Sequence, residues 1–122
     1  MHEESLVRSL LRQVQDLGRQ HQAAEVEEIE VEAGPLSGVE PLLLQSAFER
    51  LKGSISLCRN STLSIQQVGL EVVCLDCRAQ SQLQDFKFVC GGCGSSSLTI
   101  LRGDSLQLMN VRMKIPDGAG IS

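Results

Sequence analysis

The chain has 122 residues, enough for one domain or two small ones; 42 % are apolar, but Trp and Tyr are absent and the aromatics are Phe48, Phe86 and Phe88. The net charge of −4 is uneven: residues 1–50 carry ten acids against four Lys or Arg, a net of −6, and the rest nets +2. This acidity and the lack of stacking aromatics speak against nucleic-acid binding, and no apolar run approaches the roughly 20 residues that span a membrane. The start, M-H-E-E, has no secretory pattern, so a cytoplasmic location is expected. There is no Ser-His-Asp set and no Gly-rich phosphate loop, so no enzyme is expected. With few large apolar side chains to bury, so small a chain is a candidate for a structural metal.

Met1-His2-Glu3 opens the chain. A residue as bulky as His2 is expected to keep Met1 uncleaved. The Met1 amine, the His2 backbone nitrogen and a His2 ring nitrogen can then close adjacent chelate rings on one ion, a nitrogen set that suits nickel(II) or copper(II). An unstructured terminus with an incidental His fits the same residues.

Leu6, Leu10, Val14 and Leu17 recur at helical period, with Val7 and Leu11 beside them, which predicts an amphipathic helix weakened at Gly18. His21 lies in the polar tract that follows and reads as solvated. Glu28, Glu30 and Glu32 alternate with Ile29, Val31 and Ala33, predicting a strand over 27–33 with a solvated carboxylate face. After the turn Gly34-Pro35-Leu36-Ser37-Gly38, Glu40-Pro41 starts a second helix. Its apolar face is Leu43, Leu44, Ala47, Phe48 and Leu51, and Gly53 ends it. Glu40 has a sufficient role there as a helix-start residue.

Cys58 stands apart and reads as a small buried group. Residues 62–73 predict a strand with a bulge or bend at Gly69, running into Cys74. The segment C-L-D-C, twelve residues, then C-G-G-C-G supplies Cys74, Cys77, Cys90 and Cys93. Two C-x-x-C pairs at this separation suit a closed tetrahedral site of four thiolates, for which zinc is the expected ion. Gly91, Gly92 and Gly94 fit the tight knuckle turns. A pair of disulfides needs an oxidising compartment, and a redox dithiol uses one C-x-x-C. Leu83, Phe86, Phe88, Leu98 and Ile100 are the packing groups around the cysteines. Arg102-Gly103-Asp104 reads as a turn, 105–115 as a final strand able to pair antiparallel with 62–73, and 116–120 as a frayed tail.

M-H-E at the start, S-G-V-E-P before a helix containing A-F-E, and C-x2-C-x12-C-x2-C-G followed by a G-D-x-L strand together resemble the HypA/HybF family, over nearly the whole chain. That resemblance implies a nickel metallochaperone of nickel–iron hydrogenase maturation. It implies an α+β fold: a small sheet with two helices forming a nickel-binding domain (residues 1–72 and 105–122), with an inserted four-cysteine zinc-ribbon lobe (73–104). It assigns nickel, as cargo, to Met1, His2 and Glu3, with Glu40 matching an acidic position implicated in some members. Structural zinc falls to Cys74, Cys77, Cys90 and Cys93. The implied partners are a maturation GTPase of the HypB type and the hydrogenase large subunit, with the chain a monomer or homodimer. One departure is Gly34-Pro35-Leu36, where G-E-L is expected. A zinc-ribbon adaptor for nucleic acid or protein, without nickel transfer, is the alternative, and a rubredoxin-like iron carrier a third reading.

Overall fold

A computed structural model describes residues 2–83 and 88–116, with His2 described by its backbone alone. Met1, the His2 side chain, Phe86 and the tail from Asp117 lie outside the described residues. Helix α1 (His2–Gln20) and helix α2 (Pro41–Leu51) pack on a sheet of β1 (Glu25–Ala33), β2 (Thr62–Gln67) and β6 (Leu106–Lys114). A second sheet holds β3 (Leu70–Cys74), β4 (Gln80–Leu83) and β5 (Leu98–Arg102). Among the described residues no helix is long and apolar enough to cross a membrane.

The apolar stripe of α1 is buried as its period dictates: Val7, Leu10, Leu11 and Val14 meet Leu44, Ala47 and Phe48 of α2 and Ile29 and Val31 of β1. The helix continues through Gly18 to Gln20 instead of weakening there. Gly18 is a site of close packing, since a Cβ would come within 2.8 Å of Leu57 Cδ1. In α2, Glu40 is the extended N-cap and Pro41 opens the first turn. Leu43, expected on the apolar face, is 56 % exposed, because that face is centred on Leu44, Ala47 and Phe48. The helix ends at Leu51 and passes into two short 3-10 turns ending at Cys58, which is fully buried.

The segment 62–73 is not one strand. It breaks at Val68-Gly69, and its halves join different sheets. β1 is central in the first sheet: it pairs parallel with β2, from Glu28↔Thr62 to Ala33↔Gln67, and antiparallel with β6, from Glu25↔Lys114 to Ala33↔Leu106. The expected pairing of 62–73 with the last strand therefore does not form, because β1 lies between them. β3 pairs antiparallel with β4 and with β5.

Both sheets meet where β1 and β5 end and β3 begins. Gly103 lies at φ +107°, and a Cβ on it would sit 2.6 Å from the Gly69 carbonyl oxygen. A Cβ on Gly34 would overlap the Gly103 backbone itself. Beside this crossing, Glu32 is not on a solvated face; it is 8 % exposed, and its oxygens accept from Arg102 Nε (2.7 Å) and Nη2 (2.5 Å). The strand period places Glu32 correctly, but the second sheet brings Arg102 over it.

Candidate metal sites

β3 delivers Cys74 at its last residue, and the chain then turns back through a knuckle into β4. In this turn the Arg78 N–H donates to the Cys74 carbonyl (2.8 Å), and Cys74 N–H donates to Ala79 (2.9 Å). The second knuckle repeats the pattern: Gly94 N–H to the Cys90 carbonyl (2.9 Å), and Cys90 N–H to Ser95 (2.7 Å). The residue four after the first cysteine takes a left-handed conformation in both, φ +67° at Arg78 and +75° at Gly94. Of the three glycines expected to serve the second knuckle, only Gly94 has positive φ, and the first knuckle does the same work with Arg78. A hydrogen bond from Ser95 Oγ to Asp76 ties one knuckle to the other.

The four sulfurs of Cys74, Cys77, Cys90 and Cys93 lie within 4.8 Å of one another. Cys74 Sγ is 3.6 Å from Cys93 Sγ, and Cys77 Sγ is 3.6 Å from Cys90 Sγ. Four thiolates about 2.3 Å from a tetrahedral zinc stand about 3.8 Å apart, close to the two 3.6 Å spacings, so the donor set suits that ion. Cys74 and Cys90 are buried, while Cys77 and Cys93 are exposed.

Backbone donors polarise the set. The Cys77 N–H, 3.4 Å from Cys74 Sγ, is the main cause holding the Cys74 thiol below its usual value. The N–H groups of Cys93 and Gly92 bring Cys90 down to about 6, with Gly92 N 3.3 Å from its sulfur. The partners move the other way. The Ser95 N–H favours the Cys93 thiolate, but the sulfurs of Cys74 and Cys77 outweigh it and push Cys93 up to about 12. At Cys77 the Ala79 N–H is likewise outweighed by its sulfur neighbours and burial, and the thiol is raised. Each knuckle thus holds one sulfur whose backbone donors favour the thiolate, Cys74 in the first and Cys90 in the second, and the charge of an incoming cation drives off the remaining thiol protons. Cys58, by contrast, is pushed up to about 11 by burial and stays a thiol.

The first turn of α1 meets the start of α2. Glu3 Oε2 accepts from the Glu40 backbone N–H at 3.4 Å, so two of the acids expected around nickel are brought together. Glu4 accepts from Arg8 Nη2 at 3.1 Å and from Arg50 Nη1 at 3.4 Å. Arg8 first, then Arg50, holds the Glu4 carboxyl below the usual glutamate value. No motif announces the Arg50 contact, which joins residues 46 apart in sequence.

Residues 1–113 match the family model described as hydrogenase/urease nickel incorporation, metallochaperone, hypA. The hydrogenase maturation factor HypA of Shewanella oneidensis is 36 % identical over 119 residues, covering 98 % of this chain and 100 % of that protein. The HypA of Campylobacter jejuni is 38 % identical over 114 residues, covering 93 % and 100 %. The solution structure of the Ni metallochaperone HypA from Helicobacter pylori superposes with a TM-score of 0.74 at 27 % identity, covering 93 % of this chain and 98 % of that one. Another solution structure of a HypA protein gives 0.74 at 29 % identity, covering 93 % and 96 %. With both helices, the second sheet and the cysteine cluster inside the matched span, this chain belongs to the HypA family of hydrogenase/urease nickel incorporation metallochaperones.

Proposed function

We propose that the chain is a nickel carrier without catalytic chemistry of its own. It takes nickel(II) at its amino terminus and passes it toward the hydrogenase large subunit in the cytoplasm, working with a GTPase of the HypB type. Nickel is held by the Met1 amine and by His2, with Glu3 and Glu40 beside them. Zinc stays in the Cys74, Cys77, Cys90 and Cys93 cluster as a structural ion. Residues 1–72 and 105–122 form the nickel-binding domain and 73–104 the zinc-binding domain.

The observation that carries this reading is the family match beginning at residue 1, on a chain that opens Met1-His2-Glu3. Physical chemistry supports it. The first N–H groups of a helix have no intrahelical acceptor, and α1 begins at His2. The His2 backbone nitrogen can therefore exchange its proton, released to water, for a metal without breaking a helical hydrogen bond. Nitrogen and oxygen donors suit nickel, and thiolates hold zinc, so the two ions sort by ligand softness. Transfer is ligand exchange: an incoming donor displaces the terminal ligands one at a time.

The test is a calorimetric nickel titration of protein with a free Met1 amine, with zinc quantified on the same sample, beside the His2→Ala variant. The expected result is one nickel per chain in the parent, none in the variant, and one zinc in both. Equal nickel uptake by both, or nickel entering only as zinc leaves, removes the terminal site and leaves a zinc-ribbon adaptor as the account.

A further inference from the structure

Glu3 and Glu4 are neighbours in sequence but hold opposite ends of α2. Glu3 meets the backbone N–H of Glu40, the N-cap of α2, whereas Glu4 meets Arg50 in its last turn. Those two positions are ten residues apart, about 15 Å along a helix axis. The first turn of α1 thus straddles α2 and is held from both sides. Glu4 is also tied back along its own helix to Arg8, with the acid N-terminal to the base, the favourable order on a helix.

From this we infer that Glu4 and Arg50 are positioning residues for the nickel-binding terminus, and that their ion pair brackets the first turn of α1 against α2. The inference rests on the nickel reading above. Helix ends fray, and among the described residues the first fully buried side chain of α1 is Val7, about one turn beyond Glu3. The Met1 and His2 nitrogens meet Glu3 and Glu40, the other members of the proposed set, only when the first turn is in place against α2. Apparent affinity falls in proportion to the fraction of chains in that state. Two carboxylates pulling toward opposite ends of α2 fix the direction in which the terminus leaves the fold, which neither contact does alone.

Electrostatics gives the inference a sign of its own. Removing the Arg50 charge makes the surroundings more negative, and by long-range attraction alone a divalent cation should then bind more tightly. If Arg50 acts as a brace, Arg50→Gln must instead bind nickel more weakly. Exposed ion pairs are modest, and the expected loss is about two- to five-fold.

The experiment compares parent, Glu4→Gln, Arg50→Gln and the double variant by nickel titration at low and high salt. Amide exchange at Leu6–Arg8 is followed in nickel-free protein. Each single variant is expected to weaken nickel binding by that factor, and the double variant no further, because the singles break the same pair. Arg50→Lys is expected to recover part of the loss. High salt should bring the parent toward the variants by screening the pair. The absorption spectrum of the nickel-saturated protein should be unchanged, since no ligand is lost. In the apo protein, Arg50→Gln should accelerate exchange at Leu6–Arg8. Equal or tighter nickel binding by Arg50→Gln, additive losses, or an altered nickel spectrum overturns the inference. Unchanged exchange at Leu6–Arg8 also overturns it, whether or not the parent takes nickel. A parent that binds no nickel while Arg50→Gln speeds exchange refutes the nickel reading and with it the role of the brace in metal binding.

Discussion

Taking the metal out of the cysteine cluster should unfold the second sheet and spare the first. Among the described residues, the fully buried apolar side chains of the second sheet are Leu70 and Val72; Cys74 and Cys90 complete its interior. At about 1.5–3 kcal/mol each, Leu70 and Val72 contribute roughly 3–6 kcal/mol. A structural zinc contributes on the order of 10–16 kcal/mol. On the proposed reading the zinc is thus the larger part of this sheet's core. Around α1, α2 and the first sheet the balance differs, because Val7, Leu11, Val14, Ile29, Val31, Leu44 and Phe48 form one buried cluster that includes no cysteine ligand. Chelation under reducing conditions, read by amide exchange, should therefore strip protection from Leu70–Cys74 and Leu98–Arg102. Protection of Leu10–Val14 and the helical circular dichroism should persist. Protected β3 and β5 amides in reduced, metal-free protein would refute the reasoning. So would loss of both regions in a single step.

Two further outcomes follow from the crossing of the sheets. Gly34→Ala sets a Cβ against the Gly103 backbone, which no side-chain rotation can clear, whereas a Cβ at Gly53 meets nothing within 4 Å. The expected loss is on the order of 1–3 kcal/mol for Gly34→Ala, seen as a lowered urea midpoint, with Gly53→Ala far less affected; equal midpoints would contradict the packing argument. Glu32 is held below the ordinary glutamate value of about 4.5 by its hydrogen bonds to Arg102, against an opposing burial effect. A carboxyl lowered in the folded state adds stability above the unfolded value, and that stability is lost as pH falls through the folded one. Parent and Glu32→Gln should differ most in thermal stability near neutrality and converge as pH drops below about 4.5; a gap that widens in acid would reverse the sign and remove the pair as its cause.

Local features were legible in the sequence, and non-local ones were not. Spacing alone marks both helices, because Val7, Leu11 and Val14 and then Leu44, Ala47 and Phe48 obey the helical period. Cys74, Cys77, Cys90 and Cys93 announce a metal cluster because each knuckle is a short-range turn. Pairing order has no such signature. Nothing in residues 62–73 says that β2 joins one side of β1 while β3 leaves for another sheet; that outcome depends on the Gly34, Gly69 and Gly103 backbones converging from three distant segments. Glu32 shows the same limit, since alternation puts it with Glu28 and Glu30, and only the return of β5 supplies Arg102. Arg78 carries no local signal at all: a left-handed residue is ordinarily Gly or Asn, and the knuckle geometry overrides that preference.

On the proposed reading, the terminal site has to bind an ion and also give it up. A helix N-terminus carries partial positive charge and by itself repels a cation. The chain answers with Glu3 and Glu4 in the first turn of α1 and with Glu40 at the start of α2, where a second helix N-terminus points. Two positive helix ends set against three acids give a site with limited net attraction, and its ligands sit on the outermost turn. The cysteine cluster is the reverse case: four soft donors converge from two knuckles, with backbone N–H groups already aimed at Cys74 and Cys90. Loosening the terminal site takes the movement of one helical turn, whereas opening the cluster takes the loss of a sheet. Nickel should therefore exchange much faster than zinc from the same molecule. A competing chelator added to protein loaded with both ions should remove nickel first and leave the β3–β5 amides protected; simultaneous release of the two would mean that the sites are coupled.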